Sequence, residues 1–167
     1  MQCAHCGKSQ FYYRHENVVH EIKKSSLRHG ILIETNPTHL PLPGKEKGGA
    51  DFIGWVAAKM YFGDVAIVYD QTPKRHNMRY EAKQLKYSDA IEITGATCFP
   101  YIMNISGVIH HESCKLLKEM LHNNSRAFVE VCVNTQFAML RGIYQGIHRL
   151  KVRTSLGNFF ETKTQTD

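Results

Sequence analysis

No apolar run in this chain approaches the ~20 residues that cross a bilayer. The N-terminus, with Cys3, His5, Cys6 and Lys8 close together, also lacks the apolar segment of a signal peptide. No membrane partner is expected, and a cytoplasmic location is. The chain contains no G-x-S-x-G elbow, no Walker loop and no dinucleotide fingerprint, so the sequence gives no motif for serine hydrolysis, nucleotide hydrolysis or hydride transfer. Its five cysteines, Cys3, Cys6, Cys98, Cys114 and Cys132, are an odd number and do not read as a disulfide framework. Internal repeats and low-complexity segments are missing too. Acidic residues are outnumbered, 15 against 21 Lys and Arg, which leaves a net charge of +6 before ten histidines are counted. That balance favours a polyanionic partner.

What is present fits one soluble domain. At 167 residues with 43% hydrophobic side chains, the chain can bury a real core but is short for two domains. Residues 1–10 open with Cys3-Ala4-His5-Cys6-Gly7-Lys8, which has the C-x-x-C spacing of a zinc knuckle yet supplies half a tetrahedral site. His15 and His20 lie too close to Cys6 for a finger and would point about 140° apart on a helix. The segment is therefore either a Zn²⁺ knuckle or a mobile stretch with reduced cysteines. Residues 155–167 form a polar tail.

Periodicity predicts a helix over residues 11–29, with Gly30 as its C′ residue. Strands are predicted at 31–35, from Asp51 to Val56, and at 64–70, where Asp64 opens the strand after a glycine. A loop at 36–49 carries Lys45 and Lys47, and a polar turn at 71–77 carries Lys74 and Arg75. Residues 78–84, Met78-Arg79-Tyr80-Glu81-Ala82-Lys83-Gln84, alternate as a half-buried strand does, completing an antiparallel meander. Ile91-Glu92-Ile93 and Tyr101-Ile102-Met103 read as short extended pieces. Residues 111–122 read as a helix, 126–133 as a buried strand, and 135–141 as a short helix.

On a strand, Glu81 and Lys83 would project from one face. A carboxylate can hold a divalent cation while a neighbouring ammonium steadies the attacking water or the charge developing on a phosphate. An exposed cross-strand ion pair is the competing account. A hairpin around Pro73 and Lys74 would bring Asp64 beside that pair.

Strand aspartate, then Glu-x-Lys, between a first helix bearing Glu16 and Glu21 and a second helix, is the pattern by which the chain resembles the PD-(D/E)XK nuclease superfamily. Gly49-Ala50-Asp51-Phe52-Ile53-Gly54-Trp55 with Tyr80-Glu81-Ala82-Lys83-Gln84 is similar to the RecU-type Holliday-junction resolvases and the VRR-NUC nucleases of phages, with alanine at position 50 where proline is usual. The resemblance implies an α/β (α+β) fold, a central mixed four- to five-stranded sheet flanked by helices in the order αβββαβ. It implies a Mg²⁺- or Mn²⁺-dependent endonuclease of recombination or repair acting on DNA, foremost on branched DNA, as a homodimer in a bacterial or phage-infected cell. Asp51 and Glu81 would hold the metal, Lys83 would position the nucleophilic water, Gln84 would sit at the edge, and Glu21 would face the site. The resemblance names Asp51 as the first metal ligand, whereas hairpin geometry names Asp64. Lys45, Lys47, Lys74, Arg75 and Lys86 are the candidate DNA contacts. A restriction- or repair-type nuclease on duplex or flap DNA, and a zinc-knuckle nucleic-acid-binding protein without catalysis, are the alternatives.

Overall fold

Pro73 at the start of a helix and Gly95 just past the end of the next one frame the segment that decides how this chain folds. The computed structural model describes the backbone of residues 4–37, 49–69 and 72–161 and side chains of 12–37, 49–69 and 72–148. Its elements run α1 (Ala4–Arg28), β1 (Leu32–Thr35), β2 (Phe52–Val56), β3 (Lys59–Val68), α2 (Pro73–Lys86), α3 (Ser88–Thr94), β4 (Thr97–Asn104), α4 (His111–Met120) and α5 (Ser125–Glu161). The order is αβββαβ with α3 inserted before β4, and it forms a mixed sheet flanked by helices.

That sheet has the strand order β1-β2-β3-β4, antiparallel over the first three strands and parallel between β3 and β4. A parallel neighbour needs a crossover, and α2 with α3 supplies it. The expected strand at residues 78–84 is therefore overturned. Pro73 is pre-set for the first helical turn, and Glu81, Ala82, Lys83, Gln84 and Leu85 are strong helix formers. The positions that are not exposed, His76, Tyr80, Lys83, Gln84, Lys86 and the following Tyr87, recur mostly at helical spacing, so α2 lays one side on the sheet. Ile91-Glu92-Ile93 likewise lies in α3, which ends at Gly95 in the left-handed conformation with φ 67°. The antiparallel meander survives for β1 to β3 only.

The expected buried strand at 126–133 is instead the first part of α5, which also absorbs the short helix expected at 135–141. An unbroken apolar run does not distinguish strand from helix. Asn124 resolves it, because its side-chain oxygen accepts the amide of Ala127 at 3.1 Å and caps the helix. Strand β3 begins at Lys59, so Asp64 lies mid-strand rather than opening it.

The two faces of the sheet are buried separately. On one, Val18, Val19, Ile22, Phe52, Val65, Phe99, Leu117 and Val131 pack with α1, α4 and α5. On the other, Ile53, Phe62, Tyr87, Ala90 and Cys98 pack under α2 and α3. Gly63 is required on the first face. A Cβ there would stand 2.0 Å from Cζ of Phe52, its cross-strand partner, whose ring fills the space.

Candidate functional site

The register of β2 against β3 begins at the pair Phe52 and Gly63; Asp51 immediately precedes β2, and Asp64 follows Gly63 within β3. The Asp51 amide donates to the Gly63 carbonyl at 2.8 Å, and its side-chain Oδ2 accepts the Val65 amide at 2.6 Å, which ties the carboxylate to β3. Residues of β3 alternate faces, and Asp64 shares the α2 side with Phe62. Asp64 is only 3% exposed, in the middle of an apolar strand. A charge so placed demands partners.

Those partners come from the crossover. Lys83 on α2 donates to Oδ1 of Asp64, and Lys86 reaches Oδ2 at 3.0 Å. The Tyr87 hydroxyl lies 2.7 Å from Oδ2 and 3.0 Å from the Gly49 carbonyl, within donating reach of either, and accepts from Lys86 at 2.6 Å. Lys83, Lys86 and Tyr87 occupy i, i+3 and i+4 positions, the spacing that brings side chains to one side of a helix. Helix α2 is held in that rotation from its other end, where Tyr80 stacks on His110 with ring centroids 4.6 Å apart and Asn77 Oδ1 meets His110 Nε2 at 2.9 Å.

Burial by itself would raise the pKa of Asp64. The charge and hydrogen bond of Lys83, joined by Tyr87 and Lys86, outweigh it and hold the carboxyl below its ordinary value. Burial and the adjoining Asp64 charge push the Tyr87 hydroxyl far up, so it stays protonated. From α1, His15 Nε2 meets Asp51 Oδ2 at 3.0 Å. Burial lowers the pKa of His15, but the hydrogen bond and charge of Asp51, with help from Glu16, more than reverse this and raise it. Asp64 thus sits with Lys83, Lys86 and Tyr87, and Asp51 with a histidine whose protonated form is favoured.

Glu81 is not part of this cluster. On a helix, two residues apart means roughly 200° of rotation, so Glu81 is exposed while its expected companion Lys83 points at the sheet. The strand-face argument for the pair fails for that reason. Gln84 donates to the Tyr80 hydroxyl at 3.2 Å and lines, with Cys98, Lys115 and Glu119, a cavity of about 480 Å³ between α2, α3, β4 and α4. Glu21 is buried but turned along its own helix, accepting from Ser25 at 3.1 Å and Arg28 at 3.4 Å. Lys74 and Arg75 are exposed in the first turn of α2, which carries five Lys and Arg against the single acid Glu81. Cys3, Lys45, Lys47 and the side chain of Cys6 lie outside the described residues. Tyr87 and the contact of His15 with Asp51 were not foreseen. The available signal for Tyr87 was its helical spacing from Lys83, visible only once 78–84 is read as a helix.

Among the described residues, no three or more His, Cys, Asp or Glu are grouped to hold a metal ion. Asp51 and Asp64 each offer the carboxylate oxygen that a hard divalent cation takes, and such cations complete their shell with water or phosphate oxygen. Lys83 and Lys86 are the groups a cation would displace from Asp64. No family model matches the chain, and no curated protein matches it.

Proposed function

We propose that this protein is a Mg²⁺- or Mn²⁺-dependent DNA endonuclease that hydrolyses phosphodiester bonds. The observation that carries the reading is the buried Asp64 of β3 held by Lys83 and Lys86 from the next helix, with a second carboxylate, Asp51, just ahead of β2 and tied to the Val65 amide of β3. In this reading Asp51 and Asp64 hold the cation, which when bound polarises a phosphoryl oxygen and lowers the pKa of a water. Lys83, released from Oδ1 of Asp64, orients the attacking water and faces the charge that develops on the phosphate. Lys86 remains against Tyr87 and neutralises the carboxylate side of the site. His15 fixes Asp51 by holding a proton at Nε2. The exposed Lys74, Arg75 and Arg79 of α2 contact backbone phosphates outside the site.

Branched DNA is the substrate we place first, cut by two copies of the chain in the cytoplasm of a bacterial or phage-infected cell, with flap or duplex DNA as the alternative. The test is a cleavage assay on four-way junction, fork, flap, duplex and single-stranded DNA, with Mg²⁺, with Mn²⁺ and with chelator. Metal-dependent cutting of at least one substrate, abolished by Asp64→Asn, is expected. Protein that binds these DNAs yet leaves all of them intact in both metals sinks the proposal.

A further inference from the structure

Helix α5 has two apolar sides. The side with Ala127, Val131, Ala138 and Met139 is buried, and it follows α1 antiparallel, with Ser25 bonded to Asn134 and His29 to Glu130. Gly142 lies at the closest approach, where a Cβ would stand 2.7 Å from Cα of Arg14. The other side faces solvent. Val129, Val133, Phe137, Leu140, Tyr144 and Ile147 are each 40 to 67% exposed. At helical pitch these six fall within an arc of about 80° and run about 27 Å along the axis, diametrically opposite the buried side. Val133, Leu140 and Ile147 recur one heptad apart, as do Phe137 and Tyr144, which is the seam spacing of a two-helix coil.

We propose that this stripe docks a second copy of the chain, α5 against α5, antiparallel about a two-fold axis passing between Ala138 and Met139. The area points to a partner of this size. The stripe exposes on the order of 600 Å² per copy, about 1,200 Å² for a pair, which reaches the range of specific protein interfaces. Shape selects the direction. Antiparallel pairing sets Phe137 against the partner's Leu140 and Val133 against the partner's Tyr144, large side chains against small. Charge agrees with it. A parallel pair would stack Arg141 on the partner's Arg141, whereas the antiparallel one sets it against the partner's Gln136. The only acid of α5 between Ser125 and His148, Glu130, is turned to Arg28 and His29. A lipid surface is the poorer occupant, because the side of α5 opposite the stripe, which an interfacial helix turns toward headgroups and water, is packed inside the fold over the described residues.

This surface does not depend on the nuclease reading: a chain that pairs but cuts nothing, or cuts but does not pair, separates the two. Sedimentation velocity on the full chain over a wide concentration range should give a two-chain mass. Phe137→Glu with Tyr144→Glu should give a one-chain mass with an unchanged far-ultraviolet spectrum, and Leu140→Lys serves if the double variant does not fold. Mixed chains bearing Val133→Cys and Tyr144→Cys should form a 133–144 disulfide seen by mass spectrometry. A one-chain wild type at every concentration overturns the proposal, as does a two-chain mass that survives both sets of variants. Cross-linking of Tyr144→Cys to itself in place of the mixed bond overturns the antiparallel arrangement, and one-chain protein bound to anionic vesicles reassigns the stripe to lipid.

Discussion

The ammonium of Lys83, on α2, meets Oδ1 of Asp64, on β3, so the lysine of the candidate site arrives from the helix after the strand. Asp64 on β3, the lysines of the crossover helix and Asp51 just ahead of β2 are the parts of the proposed site, and each can be tested alone.

The acid on the strand and the acid on the helix separate first. Asp64→Asn should lower metal-dependent cleavage by about 100-fold or more, while Glu81→Gln should stay within about twofold of wild type. Initial rates at saturating metal decide it. The reverse ranking would return the site to Glu81.

Lys83→Met keeps the aliphatic stem and leaves Asp64 with Lys86 and Tyr87, so the fold should persist at a cost of about 1–3 kcal/mol by urea denaturation. Cleavage should fall by about 100-fold with DNA affinity nearly unchanged. Loss of binding in step with cutting would mean that Lys83 only holds DNA.

Replacing Lys74, Arg75 and Arg79 by alanine should weaken binding to all DNA sequences alike and make the slope of log affinity against log salt shallower by about 2 to 3. Fluorescence anisotropy at several salt concentrations measures it. An unchanged slope would move the DNA path away from α2.

Two histidines give opposite pH responses. The folded-state pKa of His15 is above its ordinary 6.5, so its stabilising contribution is full below pH 6.5 and is lost as pH rises through the raised value. That of His110 is lowered, by burial first and then by His111 and His76, so its contribution is present above pH 6.5 and is lost as pH falls toward the lowered value. Histidine NMR titration should place His15 above and His110 below 6.5. His15→Gln should remove the alkaline loss from a plot of stability against pH. A profile unchanged in that variant would show that His15 and Asp51 are not coupled.

Gly63→Ala should destabilise the protein by about 1–3 kcal/mol or more, because the new Cβ would overlap the Phe52 ring, and Phe52→Leu in the same chain should recover part of the loss. Denaturant midpoints of the three variants test it. A neutral Gly63→Ala would refute the packing of the Phe52 ring against Gly63 across β2 and β3.

Much of the backbone order was legible from residues near one another in the chain. The helix ending at Gly30, the strand that begins after Asp51, and the extended Tyr101-Ile102-Met103 follow from short-range spacing and turn chemistry, and local steric rules act over just such distances. The basic balance and the two strand aspartates were legible in the same way. Residues 78–84 and 126–133 were not, since alternation over seven residues fits a strand while a helix can expose Glu81 and bury Lys83 equally well. Packing on the sheet broke that tie for the first and the Asn124 cap for the second.

By itself the sequence determined which chemistry is in supply: aspartates in and beside strands, lysines close behind them, and an excess of positive charge. The tertiary structure alone decided which of these meet. Sequence does not rank Asp51 against Asp64, because hairpin register is a long-range property. The fold ties Asp51 to the Val65 amide and to His15, while the crossover helix, which contacts His110, delivers Lys83 and Lys86 to Asp64 and turns Glu81 away.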